Sequence, residues 1–346
     1  MGTFGSRWRL VVGIAAAVVA SVVTVSVVTL APASAAPVDL SGAVAQVEPA
    51  TVRIDTVIDY QHAIGAGTGI ILDPGGAILT NFHVVQGADN ITATALGVPY
   101  AVDLVGYDRG HDIAVLQMRG TAGGLPAAVI GDSSALAAGD PVVALGNARG
   151  SGNPLTNEAG TVTGFGRTIS AKDELTGSAE QMTGLIEVAA PVRAGDSGGP
   201  LINGRGEVVG VTTAASVNFR MGPGGEGFAI PINDALAVAG QIRSRTPSGN
   251  VHIGPPTLLG VGVSPSDQNE SLPGVLLREV LRGGPAQQAG LLDGDVLLSI
   301  NGEQLDSATA LTDVLDRHYP GDVIDLVWID RGGQQRTGKA TLSTGD

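Results

Sequence analysis

The chain has 346 residues with 52 glycines, no cysteine, 3% aromatics and a formal charge of −14. That length holds two or three domains with cores of their own. Glycine follows no three-residue period and 43% of residues are hydrophobic, so the chain is neither collagen-like nor broadly disordered. The negative charge repels phosphate backbones and sets it against nucleic acid as a partner.

Residues 1–36 read as a leader rather than fold. Arg7 and Arg9 precede an uncharged run from Leu10 to Leu30, and Ala33-Ser34-Ala35-Ala36-Pro37 places small residues at a cleavage site. Cleavage after Ala35 or Ala36 makes the protein secreted. The alternative is an uncleaved anchor, because the run is long enough to span a bilayer. Either reading puts the working part outside the cytoplasm, where disulfides are permitted but not required.

From Val52 onward short strands alternate with glycine-rich turns. Val52–Thr56 alternates apolar and polar residues, and Thr68–Asp73, Ile78–Thr80, Asp112–Met118, Pro141–Leu145, Gly160–Phe165, Leu185–Ala189 and Glu207–Thr213 follow as strands. Asn203–Gly206 is a turn between Pro200–Ile202 and the last of these. Closely spaced strands without intervening helices predict a mostly β sandwich or barrel. Asn233 is placed to cap an Ala-rich helix over 234–242. A linker then runs through Arg245–Asn250 and Gly254-Pro255-Pro256, and Thr257–Asp346 forms a smaller domain with one helix over Ser307–Arg317.

Two glycine motifs are decoys. Gly65-Ala66-Gly67-Thr68-Gly69 leads into β-branched Ile70-Ile71, whereas a dinucleotide loop must open a helix. Gly333–Lys339 resembles a phosphate loop, but Ala340 stands where the magnesium-binding hydroxyl belongs. His62, His83, His111, His252 and His318 show no metal-ligand spacing, so neither metal nor cofactor is expected.

The chemistry converges on Gly195-Asp196-Ser197-Gly198-Gly199-Pro200. A serine hydroxyl needs a base within hydrogen-bond reach and backbone N–H groups aimed at the developing oxyanion. Glycines beside Ser197 let the Gly195 and Ser197 amides turn toward one point. His83, just after a strand in Thr80–Val85, would take the proton. Asp112, opening another strand, would hold the imidazole tautomer. Singly, His83 could be a packed histidine and Asp112 a strand cap; together with this serine they form a catalytic triad, in the order His, Asp, Ser.

These segments, with Gly227-Phe228-Ala229-Ile230-Pro231, resemble the HtrA-type, trypsin-fold serine proteases, and most closely the secreted actinobacterial PepA-like members. The resemblance implies a trypsin-like double β-barrel over 37–243, with His83 and Asp112 from the first barrel and Ser197 from the second. It also implies a small α+β PDZ domain over 257–346, after a linker over 244–256. Leu258-Leu259-Gly260-Val261 looks like the carboxylate-binding loop of a PDZ domain, and Gly284–Leu291 with Gly294–Gly302 like its core. Such a domain captures a peptide C-terminus as a strand added beside Val261–Val263. Leu259, Gly260 and Val261 would form the loop side of the groove, and Leu311 and Leu315 the helix side.

The implied activity is endoproteolysis of unfolded or exposed polypeptide. The alternative is a chaperone-like binder whose peptidase rests. Pro191 stands where trypsin has the acid that selects Arg or Lys. With Val192, Thr213, Ala214 and Ala215 it predicts an apolar, rather small pocket. Asp196 replaces the family's more usual Asn, which predicts a buried cationic partner, Arg149 or Arg167, with the new N-terminus a weaker choice. The aromatic segment that builds trimers in many HtrA proteins is absent from Asp39–Gly42, which leaves the oligomeric state open.

Overall fold

The structure, a computed structural model, describes residues 39–58, 63–150, 154–172, 179–213, 226–263 and 273–344. The leader lies outside them. Among the described residues no helix is long and apolar enough to cross a membrane.

A short helix, α1 (Ser41–Val47), leads into six antiparallel strands: β1 (Thr51–Ile58), β2 (Ala63–Ile71), β3 (Ala77–Thr80), β4 (Asn90–Ala95), β5 (Val98–Asp108) and β6 (Ile113–Met118). They run in the order β5-β4-β1-β2-β3-β6, and pairing of β5 with β6 closes the ring. Alternation along β1 turns Val52 and Ile54 inward onto Ile71, Ile78 and Leu116. Between β3 and β4 a single turn of helix, α2 (Phe82–Val85), carries His83.

The second barrel comprises β7 (Pro141–Gly146), β8 (Thr156–Lys172), β9 (Ala179–Val188), β10 (Pro200–Asn203), β11 (Val208–Thr213) and β12 (Gly227–Pro231). It is closed in the order β10-β11-β12-β9-β8-β7. Val142, Val162, Ile186, Val188, Leu201 and Val209 fill it. Without cysteine, packing of small aliphatic side chains holds both barrels.

The helix predicted over 234–242 is α3 (Ile232–Arg243), and Asn233 is not its cap. Pro231 occupies the N-cap, while Asn233 Nδ2 donates to Asp132 (2.7 Å) and its carbonyl accepts from the Ser133 amide (3.3 Å). The side chain ties α3 to the loop before the second barrel instead of closing its own first turn.

The stretch expected to be linker contains a strand, β13 (Val251–Ile253), antiparallel to the end of β5. Val251 and His252 are buried there. Gly106 makes the approach possible, since a Cβ on it would stand 2.5 Å from the His252 carbonyl oxygen.

The C-terminal region has β14 (Thr257–Leu258), β15 (Val261–Val263), β16 (Val275–Val280), α4 (Pro285–Ala289), β17 (Val296–Ile300), β18 (Glu303–Gln304), α5 (Ala308–Leu315), β19 (Val323–Ile329), β20 (Gln335–Thr341) and β21 (Ser343–Thr344). The sheet runs β15-β16-β17-β19-β20, with β18 on β17, and β14 pairs with β21. Ser307 caps α5 by accepting from the Ala310 amide at 3.1 Å. Leu277, Leu297, Ile324, Leu326 and Trp328 form a core separate from those of the barrels.

Candidate active site

His83 and Asp112 come from adjoining strand ends, because β3 pairs with β6. Asp112 has φ +52°, a left-handed conformation that costs a non-glycine residue of order 1–3 kcal/mol. Its carbonyl oxygen is held by two donors, Asn81 Nδ2 at 2.9 Å and the Phe82 amide at 3.2 Å. The strained turn aims the buried carboxylate at His83. Oδ2 lies 2.8 Å and Oδ1 3.0 Å from His83 Nδ1, and Oδ1 also accepts the His83 amide at 3.0 Å. A carboxylate accepts only, so this contact assigns the Nδ1 proton and leaves Nε2 as the basic nitrogen. Sequence reasoning missed the part played by Asn81, although it stands inside the motif that singled out His83.

The turn around Ser197 is bonded to the first barrel. Thr68 on β2 donates its hydroxyl to the Gly195 carbonyl (2.6 Å) and its amide to the Ser197 carbonyl (2.9 Å). The Thr68 hydroxyl in turn accepts from the Asn147 amide at 2.9 Å. Gly195 and Gly198 have φ of +97° and +83°. Gly198 has no room for a side chain: a Cβ there would stand 2.1 Å from Thr80 Oγ1 and 2.2 Å from the Thr68 carbonyl oxygen. Thr80 belongs to β3, the strand that leads to His83. The two barrels are thereby stitched together where base and nucleophile emerge.

Asp196 is buried, and among the described residues its side-chain hydrogen-bond donors are not cations. Oδ2 accepts from the Arg193 amide at 2.9 Å and Oδ1 from the Thr156 hydroxyl at 3.0 Å. Arg167 pairs with Glu187, and the Arg193 guanidinium with Glu158. The expected Arg167 partnership is therefore replaced by a hydroxyl and an amide; the Arg149 side chain and the chain start lie outside the described residues. Burial pushes the Asp196 carboxyl up, more than those two hydrogen bonds hold it down, and the Glu158 charge adds to the rise.

Of the predicted pocket residues, Val192 and Thr213 are buried and Pro191 is half-buried, while Ala214 and Ala215 lie outside the described residues. Gly227 faces Val192 so closely that a Cβ on it would stand 2.4 Å from Val192 Cγ2. The Thr213 hydroxyl is buried without a hydrogen-bond partner among the described residues.

In the C-terminal domain β15 is an edge strand. Gly260 has φ +78°, and its carbonyl accepts from the Leu281 amide at 2.9 Å. Leu259 and Leu311 are buried in the domain core, whereas Val261 and Leu315 are half-buried. Among the described residues no cluster of His, Asp and Glu could hold a metal ion.

Residues 67–211 match the trypsin-like peptidase domain and residues 257–342 the PDZ domain. The chain is 31% identical over 316 residues to HhoA of Synechocystis sp., covering 80% of this chain and 77% of that protein. The chain belongs to the HtrA family of trypsin-like serine proteases. This HtrA-family chain is 33% identical to the serine protease Do-like HtrA of Bacillus subtilis, over 80% of its own length. It is 31% identical to the serine protease PepD of Mycobacterium tuberculosis, over 86% of its own length. It spans only 63% and 64% of those two relatives. A solved structure of the HtrA-type protease AlgW with a tripeptide aligns over 88% of this chain and 97% of that one, at 28% identity and a TM-score of 0.50.

Proposed function

We propose that this protein is a secreted serine endopeptidase that cleaves unfolded or exposed polypeptide through His83, Asp112 and Ser197. The observation that carries the reading is the double contact of the Asp112 carboxylate with His83 Nδ1, beside a Ser197 turn bonded to β2, the strand that pairs with β3. Ser197 Oγ attacks the scissile carbonyl while His83 Nε2 takes its proton. Asp112 keeps the imidazole in the right tautomer and stabilises the imidazolium, and His83 then returns the proton to the leaving amine. The Gly195 and Ser197 amides serve as the oxyanion hole, with the positive φ of Gly195 orienting its peptide.

Pro191, Val192 and Thr213 point to a pocket for small or medium aliphatic side chains. A substrate library that returns Arg or Lys before the scissile bond refutes this specificity. The PDZ domain takes a peptide C-terminus along the free edge of β15, with the Gly260 loop on the carboxylate and α5 as the opposite wall. The leader exports the chain, and the periplasmic assignment of DegP-like relatives agrees with that destination. Domain limits of 37–243 and 257–346 accord with this reading.

Fluorophosphonate labelling and casein cleavage test it. Wild type should label and cleave, and Ser197→Ala should do neither, with a rate loss on the order of 10⁴–10⁶. Labelling without turnover would sink the endopeptidase reading.

A further inference from the structure

Asp316 is an unfavourable choice for its place in the helix. It caps the C-terminus of α5, where the helix dipole disfavours an anion, and Asp313 sits one turn before it. A locally costly residue asks for a tertiary reason, and the reason lies in the protease domain. Asp316 Oδ1 accepts from the Tyr107 hydroxyl and Oδ2 from Arg109 Nε, both at 2.7 Å, and its backbone carbonyl faces His252 Nδ1 at 2.8 Å. The ion pair is largely shielded, with 13% of the Arg109 and 20% of the Asp316 side chain exposed.

The residues that Asp316 holds are neighbours of the proposed base and its orienting acid. Tyr107 stacks on Phe82 with ring centroids 4.2 Å apart, and the Arg109 guanidinium lies over the same ring at 4.8 Å. Phe82 adjoins His83, and its amide grips the Asp112 carbonyl. Arg109 opens the turn whose last residue is Asp112: its carbonyl accepts the Asp112 amide at 3.0 Å. On the far side His252 stacks between Tyr107 and Tyr319, with centroids at 5.0 and 4.5 Å. Burial and then the Asp316 charge push the Tyr107 phenol up, which keeps it a donor.

We propose that Asp316 of the PDZ domain is a positioning residue for peptide hydrolysis, holding Tyr107 and Arg109 so that Phe82 and the Arg109–Asp112 turn keep His83 and Asp112 aligned. The inference rests on the triad reading. It concerns the resting contact between the domains, not an occupied peptide groove. Loss of the tether leaves the strained φ of Asp112 with fewer constraints, and a small misplacement of an orienting acid lowers turnover rather than substrate affinity.

The experiment measures kcat and KM separately on a short quenched peptide amidated at its C-terminus, so that the PDZ groove has no carboxylate to bind. Asp316→Asn and Tyr107→Phe should each lower kcat about tenfold with KM within about twofold. Their double variant should lose little more than either alone. Thermal melts accompany each variant. If Asp316→Asn does not fold, Tyr107→Phe, which keeps the aromatic stack, decides the question alone. Wild-type kcat in the folded variants, a loss confined to KM, or full additivity would overturn the proposal. Ser197→Ala is the separate arm: turnover surviving there overturns the triad itself, whatever the Asp316 variants do.

Discussion

Replacing Asp196 by asparagine should stabilise the protein at neutral pH. In the folded chain the Thr156 hydroxyl has one proton and two acceptors, the Gly146 carbonyl at 2.9 Å and Asp196 Oδ1 at 3.0 Å. It also accepts from the Ala148 amide at 3.3 Å. An ionised Asp196 therefore competes for a proton that Gly146 also needs. An asparagine amide would donate to Thr156 Oγ1, free that hydroxyl for Gly146, and still accept from the Arg193 amide through its carbonyl. One neutral hydrogen bond gained in a buried site is worth about 0.5–1.5 kcal/mol, so Asp196→Asn should raise Tm by about 1–3 °C at pH 7.5. The folded-state pKa of Asp196 lies above its unfolded value, so the folded state holds the proton more tightly. Its contribution is complete below the unfolded pKa and is lost as pH rises through the folded one. The variant lacks that loss. Its stability advantage should therefore be small near pH 4 and full by pH 8, read by thermal melts across that range. An asparagine variant less stable than wild type at pH 7.5, or a gap that widens toward acid, would refute the reasoning and point to a favourable cationic partner.

Three further substitutions probe the frame around the site. Gly198→Ala puts a methyl group 2.1 Å from Thr80 Oγ1 at a φ of +83°, so the chain should lose Ser197 labelling and several kcal/mol of stability. Thr68→Val removes the donor to the buried Gly195 carbonyl and should cost about 1–3 kcal/mol in denaturant melts while slowing fluorophosphonate labelling. Gly106→Ala drives a methyl group toward the His252 carbonyl and should detach β13. The readout is faster protease nicking between 244 and 256, with the Ser197 turn still labelled.

Much of the site could be read from short segments. Nucleophile, base and acid each sit in a run of five or six residues whose types suit one chemical role, and strand alternation is a local signal. The same holds for the helix at 308–315, whose Ser307 cap stands beside it in the chain. The strand inside the linker escapes such reading because Val251-His252-Ile253 is too short to register by periodicity. Its pairing depends on a missing Cβ at Gly106, far back in the chain.

By itself the sequence determined the parts: a mostly β chain, a serine flanked by glycines that permit positive φ, and a histidine and aspartate at strand ends. Only the tertiary structure decided how they are held. Thr68 meets Gly195 across 127 residues and Tyr107 meets Asp316 across 209. No local propensity encodes such a pairing, because it exists only once both barrels and the C-terminal domain have closed. Asp196 makes the same point from one position. Its burial was foreseeable, but the hydroxyl that meets it depended on which strand lay opposite, and that strand brought Thr156.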